Sequence, residues 1–471
     1  MIRVIPALLA VLLLPPVGVA QRQAHSSAED RRQLSITVYN GNFGLVREVR
    51  TLHTGRGLVD LEFGDVAEHL QPETVHIRAL SGASSLRVLE QNYRYDLLSP
   101  QKLLEKYVGR TVTVYRRNPV TGAEEPVEAE VLSVNQGAVF RVGGEITYNL
   151  PGRIAFGEIP GNLIAHPTLR WRLESDREQQ QVEVTYLTRQ LNWRADYVLV
   201  VDGDGGKAGL TGWVTLTNQS GVGYPKARLQ LVAGDVQRVT PEVRRRMEQE
   251  VRDSAPESVA GFQSSAFFEY HLYTLPRPTD VAQNEQKQIT LLEAPAVGVE
   301  KSYVLRGRSG WYRNAYGGSH TPEKVDVILA LRNTAANGLG MPLPKGIVRV
   351  YQADAAGGQQ FIGEDRIDHT PRDETVRIRM GQAFDVVGER RQVAFDIVSS
   401  CVSESTWRIS LRNHKASAVR VAVVEPAGGD WDVVSSSHTV RPVDAHAFAF
   451  DVPVPANGER IVRYRVRVRW C

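Results

Sequence analysis

The stretch FFEYHLYTLPRP, residues 267–278, places five aromatic rings, with His271 counted among them, within seven residues. A cluster of this kind is compatible with a ligand platform, a catalytic pocket or part of a hydrophobic core. In an extended strand, one face carries the mostly apolar set Phe268, Tyr270, Leu272 and Thr274, and the other carries the mixed set Phe267, Glu269, His271, Tyr273 and Leu275. The alternation predicts an antiparallel strand that buries the first face. His271 and Tyr273 remain candidates for contact with a ligand or partner.

A second aromatic group lies in the run RGRSGWYRNAYGGSHTP, residues 306–322, whose composition predicts a long loop. Trp311, Tyr312 and Tyr316 have flat rings of the kind that stack on sugars. The alternative is a flexible loop without ligand selectivity, which the composition favours.

The C-terminal segment alternates arginine with apolar residues. Arg463, Arg465 and Arg467 share one face of a predicted half-buried strand. This face could bind anions as a stripe. The interpretation we favour is a solvated face whose arginines pair with neighbouring carboxylates.

The motifs that would signal catalysis or metal binding are missing from the sequence. The run GEDRIDHTP brings Glu364, Asp365, Asp368 and His369 together, but short charged clusters of this kind are typical of turns at a sheet edge. The run DGDGGK, residues 202–207, fails as a calcium loop at its later positions and predicts a hairpin turn. The sequence has no H-E-x-x-H, no G-x-S-x-G and no phosphate-binding glycine loop. We therefore expect no enzyme activity, no metal and no cofactor.

The N-terminus has the features of a secretory signal peptide. The first twenty residues, MIRVIPALLAVLLLPPVGVA, combine Arg3, an apolar run and small residues before a cut after Ala20. The apolar run is too short to span a bilayer, so the chain is predicted to be exported, periplasmic or extracellular, without a transmembrane segment. In an oxidising compartment Cys401 and Cys471 could pair, although sequence alone does not bring them within bridging distance. The 56 basic and 53 acidic residues nearly balance, which gives no reason to expect nucleic-acid binding.

Strand patterns dominate the elements that must position these residues. Four short strands share one form and end in asparagine, at Asn40, Asn218, Asn333 and Asn413. Asparagine suits the end of a strand because its side chain caps turns and tolerates left-handed backbone. Repeated strands of this kind predict immunoglobulin-like β-sandwiches in series.

The run LSPQKLLEKYVG, residues 98–109, predicts a short helix with Ser99 as its cap and Pro100 in its first position. Short strands follow and predict a small barrel of the SH3 type. A second helix is predicted over residues 241–252. The predicted organisation is a signal peptide (1–20), a flexible linker (21–33), an N-terminal β domain (34–97), the helix and barrel (98–166), a β-sandwich (167–239), a helical arm (240–265), a β domain (266–397) with a loop at 306–323, and a C-terminal immunoglobulin-like sandwich (398–471).

Several of these motifs occur in a set order, among them LLSPQKLLEKYVG, LNWRADYVLVVD, LTGWVTLTNQSG, EYHLYTLPRPT, FIGEDRIDHTP and VPVPANGERIVRYRVRVRW. In this order they resemble a family of exported bacterial proteins, the domain-of-unknown-function family DUF4139, which is similar to the mucoidy inhibitor A proteins. The resemblance implies export and a β-rich fold, and a link to envelope polysaccharide in some members. It implies no reaction and no catalytic residues.

Three hypotheses for function follow. The first is a non-catalytic β-sandwich protein that binds or scaffolds a protein of the cell envelope. The second is a binding protein for an anionic exopolysaccharide, through the loop aromatic residues and the arginine face. The third is a hydrolase whose site is assembled from distant residues such as Glu364, Asp368 and His369. A polysaccharide site needs a concave aromatic groove with a basic rim, a protein site needs a contiguous apolar patch, and an enzyme needs convergent titratable groups.

Overall fold

The computed structural model describes residues 22–82, 85–148, 150–161, 163–203, 205–234, 236–237, 264–267, 270–316, 321–354 and 358–471. The predicted signal peptide and the helix predicted at 241–252 lie outside these residues. The described chain is mainly β-structure, as the sequence predicts. None of its helices has the length and apolarity that crossing a bilayer requires.

The described elements are as follows, in chain order. The first part contains β1 (Arg22–Ser26), β2 (Arg31–Tyr39), β3 (Phe43–His53), β4 (Gly57–Phe63), β5 (His76–Ala79), β6 (Leu86–Arg94), α1 (Pro100–Lys106), β7 (Thr111–Arg117), β8 (Glu124–Ser133), β9 (Val139–Val142), β10 (Glu145–Tyr148) and β11 (Arg153–Ala155). The middle contains β12 (Thr168–Ser175), β13 (Gln179–Arg189), β14 (Leu191–Val201), β15 (Lys207–Asn218), β16 (Tyr224–Ala233), β17 (Ser264–Phe267), β18 (Tyr270–Thr274), β19 (Thr279–Val281) and β20 (Glu285–Arg306). The last part contains β21 (Thr321–Arg332), β22 (Gly346–Ala353), β23 (Gln359–Ile367), β24 (Thr375–Ser399), β25 (Val402–Asn413), β26 (Val419–Pro426), β27 (Asp430–Ser436), β28 (Arg441–Asp444), β29 (Ala447–Val454) and β30 (Gly458–Arg469).

The strands form four sheets. One has the order β1-β4-β12-β6, and a second has the order β17-β18-β16-β2-β3-β13-β5 with β19 beside β16. The largest has the path β23-β22-β14-β15-β20-β21-β24-β25-β30-β27, to which β26, β28 and β29 are joined through β20. The fourth sheet, β10-β9-β8-β7-β11, belongs to the predicted insert.

One hydrophobic core joins segments that the sequence analysis assigned to three separate domains. This core runs from Leu34 to Ile378 and includes the buried rings of Trp171, Trp193 and Tyr186. It is closed by pairings between distant segments, such as parallel β2 with β16 and parallel β14 with β22. This core therefore crosses the predicted boundaries at 34–97, 167–239 and 266–397, because local alternation does not reveal which distant strand is the partner.

Two predicted boundaries are also corrected. Residues 22–33, expected to be a linker, contain β1, which pairs in parallel with β4, and the start of β2. The boundary at 397/398 falls inside the β24–β25 hairpin, since β24 extends over 25 residues. The C-terminal core instead runs from Tyr303 to Val468 and so begins within β20.

The insert has its own small core around Tyr107, Val114 and Phe140. Its helix α1 begins as predicted, with the Ser99 side chain accepting from the Lys102 N–H and Pro100 in the first turn. Gly109 follows the helix with a φ of 78°, a conformation that glycine adopts without a Cβ clash.

Cys401 and Cys471 form a disulfide, with their Cα atoms 5.7 Å apart. The bond fixes the last residue of the chain to the turn between β24 and β25. The Trp470 N–H donates to the Cys401 carbonyl at 2.9 Å and reinforces the same attachment.

Three of the four repeated asparagines hold their turns by the same set of hydrogen bonds. Asn218 is fully buried, and its Nδ2 donates to the carbonyls of Val222 (2.8 Å) and Ala282 (3.0 Å), while its Oδ1 accepts from the Ser220 N–H (3.1 Å). Asn333 and Asn413 repeat this arrangement, each with two carbonyl acceptors and one N–H donor. Each side chain thus joins the turn after its own strand to a second loop. Asn40 differs, with one bond to the Trp193 carbonyl at 3.4 Å and an unpartnered Oδ1.

This difference yields a matched pair of variants. Asn218→Ala should lower the free energy of unfolding by about 2–3 kcal/mol, because two carbonyls and the buried Ser220 N–H lose their partner. Asn40→Ala should cost well under half of that. Denaturant unfolding followed by tryptophan fluorescence measures both. Equal losses in the two variants would show that the asparagines do not act through these bonds.

Candidate functional site

The charged cluster at 364–369 does not converge on one point. Glu364 pairs with Arg349 at 3.3 Å, Asp365 accepts from the Arg379 N–H at 2.6 Å, and His369 Nδ1 accepts from the Lys345 N–H at 3.2 Å. The cluster lies on and just after β23, the edge strand of the largest sheet, as the sheet-edge interpretation predicts. In the part of the chain that is described, no three His, Cys, Asp or Glu residues are placed to hold a metal.

The predicted hairpin connects β14 to β15, with residue 204 of its turn outside the described residues. Asp202 Oδ1 accepts from the backbone N–H groups of Gly206 (3.1 Å) and Lys207 (3.3 Å), and so acts as a turn cap.

Strand β18 buries the face opposite to the one predicted. Tyr273 is 1% exposed, and its hydroxyl donates to the Pro342 carbonyl at 3.1 Å, whereas Tyr270 and Leu272 are only half-buried. Phe268 and Glu269 lie outside the described residues. Period-two alternation separates two faces but does not identify the inner one; here Tyr273 packs against Trp193 in the large core. Tyr273 is therefore a core residue, and burial lowers the pKa of the half-buried His271 imidazole beside it.

Two arginines of β30 share one carboxylate of the neighbouring strand. Arg465 and Arg467 both pair with Glu404 on β25, and Arg467 Nε donates to its Oε1 at 2.7 Å. These contacts, led by the hydrogen bond from Arg467, lower the pKa of the Glu404 carboxyl. Arg463 is exposed and forms no ion pair with any described residue. The paired-face interpretation is thus confirmed for Arg465 and Arg467.

The predicted loop 306–323 is shortened at both ends by strands, and its residues 317–320 lie outside the described part of the chain. Strand β20 continues to Arg306, β21 begins at Thr321, and a 3₁₀ turn over Ser309–Tyr312 lies between them. Tyr312 is 1% exposed and its carbonyl accepts from Ser403 Oγ at 2.7 Å, so it is not a surface platform. Tyr316 is 41% exposed.

Beneath this turn lies a buried ionic cluster, which we call the Arg390 centre: Arg390, Glu425, Glu323, Tyr312 and Tyr464. Arg390 on β24 is 4% exposed, and Glu425 on β26 is fully buried. Arg390 Nη1 pairs with Glu425 Oε1, and Arg390 Nε donates to Glu323 Oε1 at 3.1 Å. The Tyr312 hydroxyl donates to Glu425 Oε2 at 2.5 Å and lies 3.0 Å from the Tyr464 hydroxyl. Arg390 Nη2 is buried and has no hydrogen-bond partner in the described chain.

Burial and charge act in opposite directions within the centre. Burial by itself lowers the pKa of Arg390, but Glu425 and other groups around it outweigh burial and raise that pKa, so the guanidinium stays charged. Burial, with the charge of Glu425, raises the pKa of Tyr312 and of Tyr464, so both phenols stay protonated. Burial also raises the pKa of the Glu323 carboxyl, against the opposing effect of Arg390.

A cleft of about 580 Å³ opens beside the centre. Its lining includes five cations, Arg306, Arg308, Lys324, Arg379 and Arg390, two carboxylates, Glu323 and Asp326, and the rings of Trp311, Tyr316 and Trp407. Arg379 pairs with Asp326 at 2.9 Å. Within the described residues Arg306, Arg308 and Lys324 form no ion pair. The cleft therefore carries surplus positive charge.

Trp311 supports cations in this cleft. The guanidinium carbon of Arg390 lies 4.8 Å from the centre of its ring and that of Arg308 lies 5.7 Å from it. Trp311 also lies against Trp407, with 6.0 Å between ring centroids. The ring thus positions two arginines by cation–π contact, a role that differs from the sugar platform predicted for it.

Sequence reasoning missed Arg390, Glu425 and Glu323, because each sits in an ordinary alternating strand and they meet only through sheet pairing. Gly307 is the one local feature of the sequence that we connect with the Arg390 centre. A Cβ at that position would collide with the Glu425 carboxylate, so glycine is required where the chain leaves β20.

The buried charges of the Arg390 centre predict a large loss of stability when one of them is removed. Arg390→Met should lower the free energy of unfolding by about 3–5 kcal/mol, since it leaves Glu425 buried without a counter-charge. Arg379→Met, which breaks the exposed pair with Asp326 in the same cleft, should cost less than about 1 kcal/mol. Denaturant midpoints compared at neutral pH test this. Similar small losses for both variants would contradict a buried charge network.

Comparison with known proteins places this site within a recognised family. A search of curated proteins finds no match. A family model described as Domain of unknown function (DUF4139) matches residues 182–471, which include β14 to β30 and the whole Arg390 centre. The further likeness to the mucoidy inhibitor A proteins stays a prediction. Because the match covers more than half of the sequence, the chain belongs to the DUF4139 family.

Proposed function

We propose that this protein is an exported, non-catalytic component of the cell envelope and that its cleft binds acid groups of an anionic polysaccharide. The observation that carries the proposal is Arg390 Nη2, a buried donor at the cleft without a described partner. A buried N–H group that lacks a partner is costly, and a carboxylate in the cleft would supply one.

The rim of the cleft favours the same class of ligand. Arg306, Arg308 and Lys324 have no carboxylate partner among the described residues and line the cleft. Arginine forks bind planar carboxylates through two parallel hydrogen bonds, which gives both strength and orientation. The exposed Tyr316 ring supplies a flat apolar surface beside these charges, on which a sugar ring can rest.

The volume of the cleft falls in the range of small-ligand sites, which suits a few sugar units of a polymer better than a folded protein surface. The two carboxylates that line it, Glu323 and Asp326, are each held by an arginine. This arrangement supports binding over hydrolysis, because neither carboxylate is free to act on a glycosidic bond without first leaving its partner.

A protein partner is the second candidate. The end of the β24–β25 hairpin exposes Val393 (59%), Ile397 (76%) and Val398 (57%), an apolar group of the kind found at protein interfaces. Because these side chains carry no charge, a partner docked there would bind with little dependence on salt. Salt dependence therefore separates the two candidates.

The first experiment is calorimetric titration of the mature chain with polygalacturonate and with uncharged dextran across a salt series. We expect salt-sensitive binding of polygalacturonate alone. Arg308→Ser with Lys324→Ser should weaken it about tenfold, the loss of two ion pairs. Arg420→Ser, an exposed arginine outside the cleft, is the control and should leave it unchanged. Absence of binding at low salt would sink the proposal and return the protein-partner hypothesis to first place.

Glu323 should make this binding dependent on pH. At neutral pH its carboxylate repels an anion and occupies Arg390 Nε; as the pH falls through its raised pKa it becomes protonated, and both effects disappear. Because sugar carboxyls titrate at lower pH, the ligand stays charged. Affinity should therefore rise as the pH falls from neutral towards the ordinary glutamate range, and Glu323→Gln should remove most of the rise. An identical pH profile in wild type and variant would contradict this role for Glu323.

A further inference from the structure

A second basic surface is lined by residues of the sheet that contains β2 and β16. Two adjoining hollows of about 640 and 720 Å³ share Arg228 and Pro278 in their linings. We call them together the N-terminal groove. One wall is the run Leu275–Pro278, the end of the aromatic stretch that follows β18.

The charged side chains that line the N-terminal groove are all positive. Six cations line it, Arg31, Arg32, Arg47, Lys226, Arg228 and Arg277, and no Asp or Glu belongs to either lining. Across the whole chain, 56 basic residues face 53 acidic ones. A surface with the average mixture would place several carboxylates among six cations, so the groove departs strongly from the rest of the protein.

Four of these cations are free of ion pairs. Arg31 pairs with Glu48 at 2.7 Å, and Arg47 pairs with Glu183. Arg32, Lys226, Arg228 and Arg277 form no ion pair with any described residue. Asp280 Oδ1 accepts from the backbone N–H of Lys226 at 2.7 Å, and the Lys226 ammonium forms no ion pair with a described residue.

The groove also offers hydroxyl groups in a fixed row. Ser35, Thr37 and Thr274 line its floor, and Gln230 holds the two threonines, with 3.3 Å to each hydroxyl oxygen. Pro276 and Pro278 stiffen the wall because their φ angles are fixed. Hydroxyl groups held in place in the same lining as unpaired cations suit an extended, hydroxyl-rich polyanion.

Tyr39, the aromatic ring in the lining, argues against a single-stranded nucleic acid as the occupant. Proteins that bind such strands stack the bases on free aromatic rings along a basic groove. Here the Tyr39 ring is stacked on Phe43, with 4.4 Å between centroids. Saccharide hydroxyls and acid groups need no such platform.

We propose that the N-terminal groove is a second binding site for the same class of ligand, an acidic polysaccharide, so that one long polymer chain engages both the groove and the Arg390 cleft. This inference rests on the proposed function, because it takes the ligand class from the cleft. Two linked sites bind a long polymer more tightly than either binds a short one, since the second contact is intramolecular.

The test uses the mature full-length chain with trigalacturonate and long polygalacturonate as probes, and polyglutamate as an acidic peptide for comparison. The variant Arg32→Ser/Arg228→Ser/Arg277→Ser leaves the paired Arg31 and Arg47 in place. The matched control is Arg56→Ser/Arg408→Ser/Arg420→Ser, three exposed arginines outside both sites. Thermal melting checks that both triple variants are folded.

We expect the groove variant to bind long polygalacturonate about tenfold more weakly, with a shallower salt dependence, and to bind one trigalacturonate fewer than wild type, while the cleft keeps its affinity for the trimer. The control should match wild type with both probes. Unchanged polymer affinity in the groove variant would overturn the second site and leave the cleft intact. Loss of polyglutamate binding larger than loss of polygalacturonate binding would overturn the saccharide as occupant. Failure of the cleft itself would appear separately, as trigalacturonate binding that Arg308→Ser with Lys324→Ser leaves unchanged.

Discussion

The C-terminal core depends on one electrostatic constraint: a guanidinium that has left water must be matched by carboxylates at hydrogen-bond distance. Arg390 meets it with Glu425 and Glu323, which come from different strands, β26 and β21. Tyr312 then satisfies the second oxygen of Glu425 from a turn outside the sheet. A shift in register of any of these elements would leave a buried charge without a partner. The centre therefore ties strand register, turn conformation and the shape of the cleft together.

The same constraint leaves one nitrogen of Arg390 without a described partner at the cleft. A guanidinium has five N–H donors, and Glu323 and Glu425 take the donors at Nε and Nη1. The N–H donors at Nη2 remain without a partner among the described residues. In the large core, Arg50 is fully buried and shares the single carboxylate Glu48 with Arg31. Two guanidiniums on one carboxylate leave net positive charge beside the N-terminal groove, which Arg31 lines. Burial lowers the pKa of Arg50, and Glu48 acts against that effect.

Features fixed within a few residues could be predicted from the sequence. The Ser99 cap of α1 and the turn cap at Asp202 follow from local side-chain hydrogen bonds. The asparagines at 218, 333 and 413 lie at turns as predicted, although each also binds a second, distant loop. The inner face of β18 and the division into cores could not be predicted, because they depend on which distant strand supplies the neighbour. Asn40 shows the same limit. It ends a strand of the same sequence pattern, but its side chain does not bind a second loop as the other three asparagines do. The Arg390 centre is the extreme case: its members are far apart in sequence and unremarkable in their own strands.

The two cores are joined by continuous strands instead of a linker. Strand β20 pairs with β15 through residues 285–298 and then with β21 and β26 through residues 299–306. Bending the chain between the cores would therefore break ladder hydrogen bonds in strands that both cores need. Serial sandwiches on flexible linkers would lack this resistance, and the shared strands supply a physical reason for a chain of this length to fold around two fused cores.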